Sequence, residues 1–257
     1  MEFIERNFIN TTGVISVESN TTTAKNMFNF DKRFQYLSDG FNNDLTSTVI
    51  TINFDETTTV NRISMIEHNL KSFRLFYDGV TANAFELTST AATSTANFNA
   101  NSESAHYFFT TQVDVTSVSL QMDSTIVADS EKAIGIFVIS ALKLNFDRIP
   151  NAGGYTPLRI PKQVLHTMSD GGVRKHKSHD KWKVNLKFSD ITESFRNSLF
   201  DIYEDTDSRI FVPFGTSASW DGILFDAVWV NQFEFYKFAE NSTTQGHKGN
   251  IVLKERS

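Results

Sequence analysis

Histidine is the residue type in this chain whose spacing could carry chemistry. There are six histidines in 257 residues, and His176 and His179 are three residues apart in the stretch KHKSH. Zinc can use two such imidazoles when carboxylates complete the site. Lysine and arginine residues surround this pair and repel a cation, and the patterns HExxH and DxDxDG are missing from the sequence. We therefore predict no metal site here, and a solvated basic hairpin tip instead.

His68 and Asn69 form a second candidate, because they stand between two apolar runs. One interpretation is a catalytic histidine, and the other is a corner between two strands. A catalytic imidazole needs a nucleophile or an orienting acid, and neither lies nearby in the sequence. Asparagine is common in turns because its side chain bonds to its own backbone. The sequence favours the corner.

Other enzyme motifs are also missing. There is no GxSxG pattern for a serine nucleophile and no GxxxxGK[ST] phosphate loop. The carboxylates Glu204, Asp205 and Asp207 follow a predicted helix and are typical of a solvated turn. We predict no catalytic residues and no cofactor, and we expect that the chain is not an enzyme.

Composition narrows the class of protein further. The chain has no cysteine, which excludes disulfides, thiolate metal sites and a cysteine nucleophile. Its first residues lack the pattern of a secretory signal, and no run reaches the roughly 20 apolar residues of a membrane span. We expect synthesis in a reducing cytoplasm and no membrane insertion. The net charge of −6 disfavours a nucleic-acid partner.

The elements that position these residues are predicted to be strands. The stretches 47–54, 72–79 and 181–188 alternate with a period of two, and 24 phenylalanines favour pleated sheets. In 181–188 the alternation puts lysines on one face and apolar side chains on the other. The outer face comprises Lys181, Lys183, Asn185 and Lys187, and the inner face comprises Trp182, Val184, Leu186 and Phe188.

One helix and one boundary are predicted. A helix over about 190–204 follows from the stripe of Ile191, Phe195, Leu199 and Ile202, with Asp190 as N-cap and Glu193 as the capping-box acid. Three of the four prolines and a Gly-Gly pair fall within 147–164. Proline and glycine punctuate chains, so we predict a linker over 148–164 between domains at 1–147 and 165–257.

The first of these domains resembles a known family. The stretch TINFDETTTVNRISMIEHNLKSFRLFYDG (51–79) resembles the middle strands of discoidin-type, galactose-binding-like β-sandwich domains, and KAIGIFVISALKLNF (132–146) resembles their last strand. The resemblance covers roughly residues 1–147. It implies an all-β fold: an N-terminal galactose-binding-like jelly-roll β-sandwich, followed by a C-terminal small β-sandwich or barrel with one α-helix. It also implies loops at one end that bind sugars or lipids.

The pattern of the second domain is similar to the small β-domains with one helix in bacteriophage tail and baseplate proteins. This resemblance implies a structural protein of the virion, assembled in the host cytoplasm, with other virion proteins and further copies of itself as partners. The candidate assembly contacts are Arg174, Lys175, Lys177, Lys181, Lys183 and Lys187.

The alternative hypothesis is a carbohydrate-binding module that attaches to a glycan on the host surface. Its candidate ligand residues are at one end of the first sandwich, beside a small and polar stretch at 80–104. These residues are His68, Asn69, Asp39 and Phe41.

Overall fold

The computed structural model describes residues 1–9, 13–30, 34–39, 46–85, 96–97, 104–169, 172–207, 209–213, 223–237 and 246–256. Strands dominate this part of the chain, which confirms the all-β class. The chain forms two compact units. The N-terminal unit comprises Glu2–Lys143 and Val212–Leu224, and the C-terminal unit comprises Met1, Leu144–Phe211 and Phe225–Ser257. The return of Val212–Leu224 to the N-terminal unit has no signal in the sequence.

The first ten strands lie in the first 145 residues. They are β1 (Glu2–Ile4), β2 (Gly13–Val17), β3 (Tyr36–Leu37), β4 (Thr48–His68), β5 (Leu70–Tyr77), β6 (Val80–Ala84), β7 (Ala96–Asn97), β8 (Ser104–Thr125), β9 (Ala133–Ser140) and β10 (Leu142–Asn145). A single-turn helix, α1 (Thr21–Ala24), continues into a 3₁₀ helix (Lys25–Phe28). Of the polar stretch at 80–104, residues 86–95 and 98–103 lie outside the described residues.

The sheet of the N-terminal unit has the strand order β3-β9-β4-β8-β5-β6, with β2 added to β4 and β7 to β5. Its long strands β4 and β8 pair with register shifts between Asn53 and Thr58 and between Val60 and Arg62. Such bulges bend a sheet. Ile52 and Ile63, from the two halves of β4, belong to a single buried cluster. The sheet therefore folds over one core, as in a sandwich.

The C-terminal unit contains the remaining elements. They are β11 (Tyr155–Thr167), β12 (Val173–Ile191), α2 (Glu193–Glu204), β13 (Arg209–Val212), β14 (Phe225–Trp229), β15 (Phe235–Lys237) and β16 (His247–Glu255). Strands β13, β14, β16, β12 and β11 lie side by side in that order, and β15 pairs with β16. Val184, Leu186 and Phe188 are buried, as the alternation of β12 predicts.

Helix α2 packs through the predicted stripe. Phe195, Leu199 and Ile202 are buried, and the Phe195 ring lies 5.4 Å from that of Phe146 and 6.2 Å from that of Phe188. These aromatic contacts bind the helix to the sheet. None of the helices in the described part of the chain is long and apolar enough to cross a membrane.

The predicted N-cap of this helix is wrong by two residues. The cap is Thr192, whose Oγ1 accepts a hydrogen bond from Phe195 N at 3.1 Å, and Glu193 is the first helical residue. β12 continues through Ile191, which pairs with His247, so Asp190 is still part of the strand. The carboxylate of Asp190 accepts from Arg148 Nη1 at 2.7 Å instead.

The segment predicted as a linker, 148–164, holds a strand from Tyr155 onward. Pro157 and Pro161 lie within β11, opposite Val184 and Asp180. Proline cannot donate to a ladder and is tolerated in edge strands, and β11 ends the strand order of its sheet. The sequence pattern did not reveal this pairing partner.

Candidate functional site

The outer half of the β11–β12 hairpin is a two-stranded ribbon, which we call the arm. In the described part of the chain, the pairing of β12 with β16 begins at Lys183, whereas its pairing with β11 continues to Val173. The arm thus comprises Arg159–Thr167 and Val173–Trp182. Its nine β11 residues correspond to a length of about 30 Å at about 3.3 Å per residue.

The arm exposes large apolar side chains. Leu165 and Val173 are each 62% exposed, and Ile160 is 43% exposed. The strand β11 has no strand on its outer edge among the described residues. Prolines and register shifts blunt a strand edge, so the part of β11 that can pair with another chain lies beyond Pro161 and the register shift, at Gln163–Thr167.

Three of the predicted contact lysines lie on the outer face of this hairpin. Leu158 is paired with Lys183 and Ile160 with Lys181, and residues directly opposite in an antiparallel pair share a face. Lys187 is exposed farther along β12. We call the surface formed by Leu158, Ile160, Lys181 and Lys183 the basic face. The other predicted contacts, Arg174, Lys175 and Lys177, lie in the β12 half of the arm, and their side chains are outside the described residues.

On the face opposite the basic face, side chains at the base of the arm contact each other and the neighbouring strand. The guanidinium carbon of Arg159 lies 4.6 Å from the centre of the Trp182 ring, within the range of a cation–π contact. The backbone N–H of Trp182 donates to Glu255 Oε2 at 2.8 Å. The bond to Glu255 joins the base of the arm to the neighbouring strand β16.

The pair His68–Asn69 forms a corner between β4 and β5. Asn69 Nδ2 donates to Glu131 O at 2.7 Å, and its Oδ1 accepts from Ala133 N at 2.8 Å. The residue with a left-handed backbone here is Glu67, with φ of 55°, and not Asn69. The asparagine amide therefore joins the corner to the start of β9. This is a structural role for Asn69 and not a catalytic one.

His68 itself is buried, with 1% of its surface exposed. Its Nδ1 accepts from Leu70 N at 3.2 Å, and its ring meets Phe73 edge-on at 5.9 Å. Burial lowers the pKa of His68 to about 4. The imidazole is neutral at neutral pH and lies inside the unit, away from a surface ligand.

The predicted ligand residue Asp39 is exposed, and its segment is hydrogen-bonded to two other segments of the unit. Asp39 Oδ2 accepts from Asn20 N at 3.0 Å, and Ser38 Oγ accepts from Lys132 N at 2.9 Å. Asn69 is bonded to the same segment, Glu131–Ala133, so the structure brings Asp39 and Asn69 to one end of the unit. The fourth predicted residue, Phe41, lies outside the described residues.

Sequence reasoning missed a buried polar network in the N-terminal unit. Ser64 Oγ lies 2.5 Å from His106 Nδ1, and His106 Nε2 lies 3.0 Å from Glu2 Oε1. The residue types are those of acyl-transfer triads. All three residues are buried, however, so a substrate does not reach Ser64. These residues are 42 and 104 positions apart in sequence, and only strand pairing brings them together.

A cluster of aromatic rings on the C-terminal unit also escaped prediction. Phe200 and Tyr203 of α2 contact Phe233 at 5.0 and 5.5 Å, and Trp229 lies 5.5 Å from Tyr203. Arg196 covers Phe233 at 5.3 Å. All of these rings are half-buried, and several of the contacts are edge-to-face. The cluster packs the outer side of α2.

Among the residues that the structure describes, no group of three His, Asp or Glu side chains is close enough to hold a metal ion. The side chains of His176 and His179 lie outside that description.

Comparison with known proteins gives distant structural similarities. No family model matches the chain, and no curated protein is similar to it. CpGH89CBM32-5 from Clostridium perfringens, solved with GalNAc-β-1,3-galactose, is similar at 10% identity and a TM-score of 0.40, over 52% of this chain and 99% of that one. The chitosan-binding module 1 of a Paenibacillus sp. IK-5 chitosanase/glucanase is similar at 14% identity and a TM-score of 0.38, over 52% and 97%.

A pectin-binding carbohydrate-binding module is similar at 16% identity and a TM-score of 0.35, over 50% of this chain and 90% of that one. Two of these three proteins are named for the sugar polymers that they bind. Similarities of this strength do not assign a ligand to this chain, so its function has to be inferred from its own side chains.

Proposed function

We propose that this chain is a non-catalytic structural protein that joins other protein chains through its arm. The observation that carries this proposal is the two-stranded ribbon beyond Lys183, with Leu165 and Val173 largely exposed near its end. A two-stranded ribbon is at best marginally stable in water, and exposed apolar side chains on it favour a covering partner. A partner chain on the outer edge of β11 at Gln163–Thr167, beyond the prolines, supplies both a third strand and an apolar contact.

The assembly that the sequence resemblance implies is the tail or baseplate of a bacteriophage. In such a particle the C-terminal unit docks on neighbouring chains and the N-terminal sandwich faces outward. The virion, assembled in the host cytoplasm, is the corresponding location. Virion proteins and further copies of this chain are the corresponding partners.

Co-purification with the products of the neighbouring genes tests the assembly role. We expect the wild-type chain to purify with at least one of them in fixed stoichiometry. The variant Leu165→Thr/Val173→Thr places threonine, which suits strands, at both positions and replaces apolar groups with hydroxyls, and it should lose the complex. Val127→Thr and Ile149→Thr, which are 70% and 72% exposed outside the arm, are the matched controls.

Retention of the complex by the arm variant, at unchanged folding by circular dichroism, contradicts the proposal. A wild-type chain that binds none of these products and does not associate with further copies of itself contradicts it as well.

Carbohydrate binding by the N-terminal unit is the second candidate function. It is favoured by the meeting of the Asn20, Asp39 and Asn69 segments at one end of the unit. Sugar-binding proteins are among the structures similar to this chain, but at their TM-scores they add no support. Asp39 is the exposed acceptor at this end, and a carboxylate is a suitable partner for sugar hydroxyls.

Isothermal titration with GalNAc-β-1,3-galactose, together with a glycan array, tests this candidate. We expect Asp39→Asn to weaken sugar binding about tenfold, which is about 1.4 kcal/mol. Asp201→Asn, exposed in α2, is the matched control and should bind as the wild type does. If no glycan binds the wild-type chain, carbohydrate binding is eliminated.

A further inference from the structure

The two units carry opposite net charge. The N-terminal unit holds 9 basic and 17 acidic residues, and the C-terminal unit holds 15 basic and 13 acidic residues. Between positions 174 and 187 there are six lysines and arginines and one aspartate. The positive charge of the C-terminal unit is therefore concentrated on the hairpin that forms the arm.

Building on the proposed assembly role, we infer that the basic face, at the base of the arm, docks on an acidic surface of the N-terminal unit of a second copy of this chain. Lys181 and Lys183 supply the charge, and Leu158 and Ile160 beside them are each 43% exposed and supply apolar contact. A face of this kind fits a surface that combines carboxylates with exposed aliphatic groups.

The N-terminal unit has such a surface where β4 and β8 change register. Asp55 and Glu56 are exposed in the β4 segment between Asn53 and Thr58, which is unpaired with β8. Two further exposed carboxylates lie in the same region. Asp114 pairs with Thr59, and Asp78 accepts hydrogen bonds from Thr116 N at 2.7 Å and Ser117 N at 3.2 Å.

Nothing in the local sequence neutralises these four carboxylates. Lysine and arginine are absent from residues 46–60, 77–81 and 112–120. Val80, which is 47% exposed and two residues from Asp78, supplies an aliphatic group at the same place. We call Asp55, Glu56, Asp78 and Asp114 the acidic surface. Its charge and its aliphatic character both match the basic face.

Pairing of two arms with each other is disfavoured by the same charges. Joining two β11 edges places one basic hairpin beside another, and like charges at close range repel. The contact between the basic face and the acidic surface joins two different patches of the chain. It closes as a two-fold dimer when it is reciprocal, and otherwise it generates a ring or an open filament.

Sedimentation velocity of the full chain over a range of concentrations tests this inference. We expect the wild-type chain to self-associate at low salt and to dissociate at high salt, because screening weakens contacts between exposed charges. The variants Lys181→Glu/Lys183→Glu and Asp55→Lys/Glu56→Lys should each associate about tenfold more weakly, which is about 1.4 kcal/mol. Lys71→Glu and Asp201→Lys, which are exposed away from both surfaces in sequence, are the matched controls.

Mixing the two charge-reversed variants is the decisive experiment. In the first variant the basic face carries carboxylates, and in the second the acidic surface carries ammonium groups. The mixture should therefore associate more strongly than either variant alone. Loss of association caused by misfolding is not rescued in this way.

A wild-type chain that stays monomeric at low salt at every concentration overturns the inference. Self-association of unchanged strength in both charge-reversed variants overturns it as well. If the monomeric chain still purifies with a neighbouring gene product through its arm, the assembly role stands and only the second copy as partner is wrong. If the chain neither self-associates nor purifies with a neighbouring gene product, both proposals fail.

Discussion

Glu2 and Arg62 form a bidentate ion pair inside the N-terminal unit: Nε and Nη2 of Arg62 donate to the two carboxylate oxygens of Glu2 at 2.9 and 2.8 Å. His106 Nε2 shares the same carboxylate at 3.0 Å. Burial acts to raise the pKa of Glu2, but the hydrogen bonds from His106 and Arg62 outweigh it, and the pKa of Glu2 is lowered. The carboxylate is thus charged, buried and fully dependent on its partners.

Replacing Arg62 should destabilise the fold strongly. Arg62→Met leaves the Glu2 carboxylate buried beside His106 alone, and breaking a buried pair costs about 3–5 kcal/mol. Arg148→Met is the matched control, because its pair with Asp190 is exposed and should contribute less than about 1 kcal/mol. The free energy of unfolding in urea measures both, and equal losses in the two variants contradict a special role for the buried pair.

His68 should make stability fall as the solution becomes acidic. Its folded pKa of about 4 lies below the unfolded value of about 6.5, so the unfolded chain binds the proton more tightly. The stabilisation is complete above pH 6.5 and is lost as the pH falls toward 4, by about 2 kcal/mol between pH 6.5 and 5.

His68→Asn tests this assignment, because the amide oxygen still accepts from Leu70 N but does not titrate. Unfolding free energies at pH 5 and pH 7 should differ less in this variant than in the wild type. The prediction is wrong if the two proteins lose the same stability over this range.

Asn69 should be needed for folding stability. Asn69→Ala removes the donor to Glu131 O and the acceptor for Ala133 N, which leaves two backbone groups at the corner without their partner. We expect a loss of about 1–3 kcal/mol. Asn53→Ala, on an exposed position of β4, should change stability by less than about 0.5 kcal/mol in the same denaturation experiment.

Thr192 should account for the capping energy of α2. Thr192→Ala removes the oxygen that accepts from Phe195 N and should cost about 1 kcal/mol, whereas Thr192→Ser should restore most of it. Asp190→Ala affects only an exposed ion pair and should be nearly neutral. A larger loss for Asp190→Ala than for Thr192→Ala would instead support the cap that the sequence pattern indicated.

Much of the fold follows from periodicities over a few residues. The alternation at 181–188 placed Val184, Leu186 and Phe188 inside, and the helical stripe placed Phe195, Leu199 and Ile202 against the sheet. Local patterns of this kind reflect which face of an element is covered, and neighbouring residues are enough to encode them. The sequence by itself thus determined the all-β class, the helix α2, the absence of thiol chemistry and the basic strand.

Only the tertiary structure decided which residues contact each other when they are far apart in the sequence. It joined Glu2 to Arg62 and His106, attached Asn69 to Ala133, and turned a proline-containing linker into the edge strand of an arm. The physical reason is that the contacts of Glu2 and Asn69 depend on strand register, which packing sets between segments 60 or more residues apart. A residue's local sequence carries no record of the partner that the register brings to it.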